Sequence, residues 1–251
     1  MEQTRPWEAA RSEETWGESW TPVLGAIEEL ALTDPQFGII EERFRQIAAR
    51  CLETRVPTAS QSIAISSATT GDGKSSVAIG IAAAAARNLG TSVLLVEADL
   101  RRPELAEDFR LPTSIGLSDY LMSEVELKPC IQATRMQNVW LLPAGRQAQN
   151  PGPLIRSQRF QDLMKTLHET YPTIIIDVPP LLTSPDAAVI ARQAEGLVLV
   201  VRAGRTHIQD AANALKAVRE VPVRGVVLNA TREWFPGWIA RLLGMSRFAI
   251  E

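Results

Sequence analysis

Residues Ser66–Ser76 read SSATTGDGKSS, directly after the apolar-rich run Ser62-Ile63-Ala64-Ile65. Within them, Ala68-Thr69-Thr70-Gly71-Asp72-Gly73-Lys74-Ser75 follows the pattern GxxxxGK[ST] except at its opening position, where alanine replaces glycine. A small-residue loop of this form, set between a strand and a helix, curls its backbone N–H groups around phosphate oxygens, and the helix N-terminus adds the positive end of its dipole. Gly71 and Gly73 permit the close backbone approach. Lys74 can reach the β- and γ-phosphates, and the Ser75 hydroxyl suits Mg²⁺. Alanine at position 68 leaves the cradle intact wherever the backbone there does not require φ > 0. Thr70, Gly71, Asp72, Gly73, Lys74, Ser75 and Ser76 are therefore the expected nucleotide-binding residues, with ATP and Mg²⁺ as cofactors. A glycine-rich turn that merely happens to precede a lysine is the plainer alternative.

Outward from this loop, strand-like and helix-like segments alternate. Strands are expected at 62–67, 92–98, 138–143, 173–177, 195–201 and 224–229, and helices at 75–88, 157–169, 186–193 and 207–220. A further amphipathic helix is expected from Phe37 to Glu53, on the spacing of Ile39, Ile40, Phe44, Ile47, Ala48 and Cys51. Several strands are continuous apolar runs, the form taken by strands buried on both faces. The fold class is α/β: a P-loop NTPase-type, doubly wound, mainly parallel sheet with helices on both faces, whose strand-following loops share one edge.

Two more motifs fall on that edge. In Val93-Leu94-Leu95-Val96-Glu97-Ala98-Asp99, two carboxylates two apart at a strand's end point the same way if the strand continues through both. Glu97 and Asp99 are then candidates for Mg²⁺ ligands or for the base that takes a proton from an attacking hydroxyl. In Ile174-Ile175-Ile176-Asp177-Val178-Pro179-Pro180, a lone Asp closing a β-branched run is the form of a second metal-anchoring strand. The candidate catalytic residues are Lys74, Glu97, Asp99 and Asp177, and the candidate metal residues are Ser75, Asp99 and Asp177.

The 251 residues are 45% hydrophobic and 22% charged, enough to bury a sizeable core. A net charge of −3 gives no electrostatic reason to expect nucleic acid. Cys51 and Cys130 are the only cysteines, and His168 and His207 stand alone, so neither a disulfide framework nor a metal spacing is expected. Val77–Ala86, the longest small-apolar run, is about half of what a membrane span needs. The N-terminus lacks the form of a secretory signal, which makes the cytoplasm the expected location. Three regions are expected: a weakly ordered acidic leader at 1–35 carrying Trp7, Trp16 and Trp20, a nucleotide-binding domain at 36–230, and an amphipathic tail at 231–251. In the tail, Trp234, Phe235, Trp238, Ile239, Leu242 and Leu243 recur at roughly helical spacing among Arg232, Arg241 and Arg247. Such a face either packs on its own sheet or lies against a membrane or partner.

Together these residues resemble the bacterial tyrosine autokinases, cytoplasmic kinases of capsule and exopolysaccharide export. The likeness runs from about Phe37 to Asn229 and includes LLPAG (141–145), NPGPLIRSQRF (150–160) and GVVLN (225–229). It implies transfer of the ATP γ-phosphate to protein tyrosine, a membrane chain-length or polysaccharide co-polymerase as partner, and homo-oligomers. By resemblance, Lys74 and Ser75 serve phosphate and Mg²⁺, Glu97 and Asp99 serve metal and base, Asp177 lies near the metal, and Asn229 touches adenine. The sequence departs from the family in three ways. Its tyrosines are Tyr120 and Tyr171, with none after Asn229. Glu97 replaces the usual aspartate. The helical Glu-x-x-Arg-x-x-Arg subunit-contact motif keeps Glu42 and Arg45 but has Ala48 last. Two other readings stay open: an ATPase switch of the same fold regulating a membrane partner, and a partitioning or septum-placement ATPase. The second would carry a lysine where Thr69 stands.

Overall fold

The computed structural model describes residues 35–52, 60–88, 90–112 and 115–230. The expectations for the leader and the tail lie outside the described residues. In chain order the elements are α1 (Pro35–Cys51), β1 (Gln61–Ser67), α2 (Lys74–Asn88), β2 (Val93–Glu97), α3 (Leu105–Asp108), α4 (Leu117–Leu121), α5 (Leu127–Cys130), β3 (Gln132–Ala133), β4 (Val139–Leu142), α6 (Pro151–Ile155), α7 (Gln158–Thr170), β5 (Thr173–Asp177), α8 (Ala187–Ala191), β6 (Gly196–Arg202), α9 (Ile208–Ala217) and β7 (Val223–Asn229). All six expected strands and all five expected helices are present. The short helices α3 to α6 and the two-residue strand β3 were not anticipated, since none is long enough to display a period.

The seven strands form one sheet in the order β3-β4-β2-β5-β1-β6-β7, parallel except for the β3–β4 pair. The alternation hidden within the continuous apolar runs divides them between two cores. Ala64, Leu94, Val96, Ile174, Ile176, Leu197 and Leu199 pack in the core that holds Phe160, Leu163 and Leu167 of α7 and Ile190 of α8. Ile63, Ile65, Leu95, Ile175, Val198 and Val200 pack in the core that holds Val77, Ala78 and Ile81 of α2 and Ala48 of α1. The alanine run 82–86 follows from this arrangement, because its small side chains let α2 lie close to the sheet. At Gly80 any side chain would collide with the Phe44 ring of α1.

Strand order sets up the site. β5 lies between β1, which feeds the Ala68–Ser75 loop, and β2, which leads to Asp99. Asp177 at the end of β5 pairs in register with Ile65 on one side and Glu97 on the other.

Tyr171 is 2% exposed, a packing residue of the core, and burial pushes its hydroxyl pKa up to about 12. His168 is likewise a packing residue, with ring nitrogens 2.6 Å from the Met164 carbonyl and 2.8 Å from Ser62 Oγ. Cys51 and Cys130 are buried free thiols. Among the described residues, no helix is long and apolar enough to cross a membrane.

Ile175 is fully buried at the centre of the sheet. Ile175→Ala should lower stability by about 2–5 kcal/mol. In urea unfolding this appears as a lower midpoint with an unchanged slope.

Candidate nucleotide and phosphoryl-transfer site

The centre of the site is one ammonium group. Lys74 Nζ lies 3.2 Å from Asp99 Oδ2 and 3.3 Å from both Asp177 oxygens and from Ser75 Oγ. The Ser75 hydroxyl donates to Asp177 Oδ2 at 2.8 Å. The group is nearly closed to water, with the Lys74 side chain 12% exposed and Asp177 2%. Burial works against the Lys74 charge, but the two carboxylates outweigh it and hold its pKa above the ordinary value. Burial pushes the Asp177 pKa up to about 6, with the Asp99 charge adding to the rise and Lys74 and Ser75 opposing it. Four sequence-predicted residues, Lys74, Ser75, Asp99 and Asp177, thus come together.

Glu97 does not join them. The expectation that it shares Asp99's orientation fails because β2 ends at Glu97, so the two-residue alternation does not carry through to Asp99. Its Oε1 accepts from the backbone N–H groups of Glu104 (2.6 Å) and Leu105 (2.5 Å), and its Oε2 from that of Ala144 (3.0 Å). Burial raises its pKa against these three donors. Glu97 is therefore a clamp joining the start of α3 to the loop after β4, and its acceptor atoms are taken.

The loop itself is braced from outside. Gly71 and Gly73 have φ of 85° and 93°, conformations that a side chain would strain. Ala68 is fully buried and is not among the residues with positive φ, so alanine is tolerated there. Asp72, a carboxylate in the middle of a phosphate loop, is fully buried and turned away from the cradle. Its Oδ2 accepts from the Thr69 N–H (3.2 Å) and hydroxyl (3.3 Å), and its Oδ1 from the Thr206 hydroxyl (2.9 Å). Arg202 donates to the Gly71 carbonyl (2.9 Å) and Arg205 to the Thr70 carbonyl (3.4 Å). Asn229, at the end of β7, donates to the Asp72 carbonyl at 2.9 Å and lies where a side chain on Gly73 would go. Asn229 thus supports the loop backbone. Thr70 and Ser76 are exposed. The brace by Arg202, Arg205 and Thr206 escaped sequence reading, because its contacts join positions more than a hundred residues apart.

The donor set suits the expected cofactors. A hydroxyl and two carboxylates are hard oxygen ligands, too few for a closed metal cage but apt for a Mg²⁺ that shares its shell with phosphates and water. Among the described residues no group of three or more His, Cys, Asp or Glu is gathered for a metal. Around Gly71 and Gly73 the loop keeps the close-approach geometry that phosphates need.

Fold and site define a P-loop nucleotide-binding domain. Residues 60–224 match the AAA domain family. The tyrosine-protein kinase YwqD of Bacillus subtilis is 30% identical over 205 residues, 81% of this chain and 86% of that protein. The kinase domain of the Escherichia coli tyrosine kinase ETK superimposes with a TM-score of 0.75 at 27% identity, covering 82% of this chain and 81% of that one. The chain belongs to the bacterial tyrosine-protein kinase family. The septum site-determining protein MinD of Pyrococcus horikoshii, solved with Mg-ADP, shares the fold at 23% identity and a TM-score of 0.58, covering 73% of this chain and 77% of that one.

Two outcomes test these assignments. Because the folded-state pKa of Asp177 is raised, its contribution to stability is present below about pH 4 and is lost as pH rises through about 6. Wild type should therefore lose stability relative to Asp177→Asn between those values, read as urea midpoints at each pH. Glu97→Gln replaces an acceptor with an NH₂ group that cannot receive all three N–H donors. It should destabilise by about 1–3 kcal/mol, while calorimetry finds Mg·ADP affinity changed by less than about threefold.

Proposed function

We propose that this chain is an ATP-dependent protein-tyrosine kinase of exopolysaccharide or capsule biosynthesis, acting on a tyrosine outside its own described domain. The observation that carries the reading is the convergence of Lys74, Ser75, Asp99 and Asp177 beside the loop. Thr70 to Ser76 would hold the phosphates of ATP, with Lys74 swinging onto the β- and γ-phosphates, and Ser75 and Asp177 would hold Mg²⁺. Mg²⁺ supplies neutralisation of the charge on the transferring phosphoryl group. Asp99 faces the same space and would accept the tyrosine proton as the phenolic oxygen bonds to the γ-phosphorus and the bond to the β-phosphate bridging oxygen breaks, releasing ADP. A phenol with a reference pKa near 10 gains from such a base at neutral pH. Glu97 would act through the loops it clamps, without touching the reactants.

The acceptor reading rests on the two tyrosines. Tyr171 is core. The Tyr120 ring is half-buried with the Arg159 guanidinium carbon 4.2 Å from its centroid, and Arg159 Nε donates to the Tyr120 carbonyl at 2.8 Å. Tyr171 could not reach another subunit's site without unfolding, and Tyr120 could serve as an acceptor only by giving up its contact with Arg159. This same observation favours the second reading, an ATPase switch that regulates its partner through the bound nucleotide alone. In either case the partner would be a membrane polysaccharide co-polymerase at the inner face of the cell membrane, reached by a cytoplasmic domain at 36–230 between an acidic leader and the 231–251 tail. Nucleic acid has no role in either. Homo-oligomers would not use the intact family motif: Glu42 and Arg45 pair with each other at 2.5 Å on the exposed face of α1, and Ala48 is core.

The test is transfer from labelled Mg·ATP with the co-polymerase's cytoplasmic segment present. Wild type should label tyrosine on that segment. Lys74→Ala and Asp99→Asn should each lower the rate at least about a hundredfold, and Tyr120→Phe should leave it unchanged. Phosphate release that depends on Lys74, with no labelled tyrosine on any protein, would establish the switch instead.

A further inference from the structure

Beside the catalytic edge, one buried carboxylate holds two arginines. Asp186 accepts from Arg101 Nη2 at 3.0 Å and from Arg156 Nη1 at 2.7 Å, and Arg156 Nη2 also donates to the Pro185 carbonyl at 3.2 Å. The Asp186 side chain is 4% exposed, whereas Arg101 and Arg156 are 46% and 48% exposed. The negative charge is thus turned inward and the two guanidinium groups outward, leaving a positive face. Asp186 precedes α8 in the N-cap position, yet its side chain makes no cap hydrogen bond; the carboxylate is committed to the arginines. Arg101 and its anchor Asp186 both lie on loops that leave the site carboxylates. Arg101 follows Asp99 by two residues, and Asp186 ends the loop that starts at Asp177. Arg156 arrives from the end of α6, where Gly152 leaves its guanidinium room: a side chain there would come within 2.8 Å of Nη1. Arg102 adds an exposed cation next to Arg101, while Glu104 and Glu107 are exposed beyond it on the α3 side.

We infer that Arg101 and Arg156, held by Asp186, form an anion-binding rim of the acceptor subsite, fitting a tyrosine-bearing segment of another protein rich in carboxylates. A planar guanidinium fork anchored on one side can still take a carboxylate on the other. The rim deepens the kinase reading, on which it depends for calling the bound segment an acceptor.

The experiment measures binding without nucleotide, by fluorescence anisotropy of labelled peptides carrying one tyrosine flanked by glutamates, by glutamines or by lysines. Wild type should bind the glutamate peptide at least about fivefold more tightly than the glutamine peptide, with the preference shrinking as salt rises. The double variant Arg101→Gln/Arg156→Gln should lose the preference, and Arg156→Lys, which keeps the charge, should retain most of it. Mg·ADP affinity should stay within about twofold in all variants, which also shows that they fold. Equal binding of the three peptides by wild type, or a preference that survives in the double variant, would overturn the rim. So would a fall in Mg·ADP affinity parallel to the loss of peptide, since the arginines would then serve the nucleotide. Wild type that selects the glutamate peptide but phosphorylates none of them would break the kinase reading and leave the rim standing.

Discussion

The Lys74 ammonium shared by Asp99 and Asp177 is the interaction on which the rest depends. It joins the first residue of α2, the loop after β2 and the last residue of β5. Removing Lys74 would leave two buried carboxylates facing each other without a cation, which is far more destabilising than the group is stabilising. The sheet order makes the group attainable. With β5 between β1 and β2, the three strand ends are neighbours in the sheet and share one edge. The apolar runs of these strands are in this sense part of the site, because they fix the height at which each carboxylate emerges.

A second constraint is the shape of the phosphate loop. Asp72 would repel phosphate if it faced the cradle, and burial without partners would be worse. Three donors resolve the conflict, two from Thr69 and one from Thr206, and they lock the loop to the segment after β6. Arg202, Arg205 and Asn229 then hold the outer carbonyls of Gly71, Thr70 and Asp72. A charged residue that looks misplaced in the sequence is in this way the peg on which the loop hangs.

Reading from sequence succeeded where local pattern and tertiary role agree. Val93–Val96 and Ile174–Ile176, β-branched or aliphatic runs that end in a carboxylate and alternate with helical segments, read as strands buried on both faces, and the Lys74–Ser75 pair at the start of an alanine-rich helix has few other uses. Sequence reading failed at Glu97, where the outcome turned on whether β2 ended one residue before or after Ala98. Strand ends are decided by the backbone partners available, which a single sequence does not display. It also missed the Thr206–Asp72 and Arg156–Asp186 contacts, since a hydroxyl or guanidinium on a loop carries no periodic signal of its partner. Ala48 is instructive in the other direction. It stands where the family's contact motif has an arginine, and the Ile47–Ala48–Cys51 spacing already marked it as core.

Charge is layered around the site, and the layering says why nucleotide and metal belong together. The innermost group, Asp99, Asp177 and Lys74, sums to one negative charge when fully ionised. A polyphosphate entering alone would meet carboxylates, and a divalent ion entering alone would meet an ammonium already sharing their oxygens. If phosphates drew Lys74 toward the loop, the oxygens of Asp177 and Ser75 would be free to hold a divalent ion, whose charge would offset the repulsion between phosphates and carboxylates. Each ligand would then remove the obstacle to the other, a reciprocal coupling carried by one lysine side chain. Burial raises the Asp177 pKa, and a divalent cation beside it would favour the ionised form.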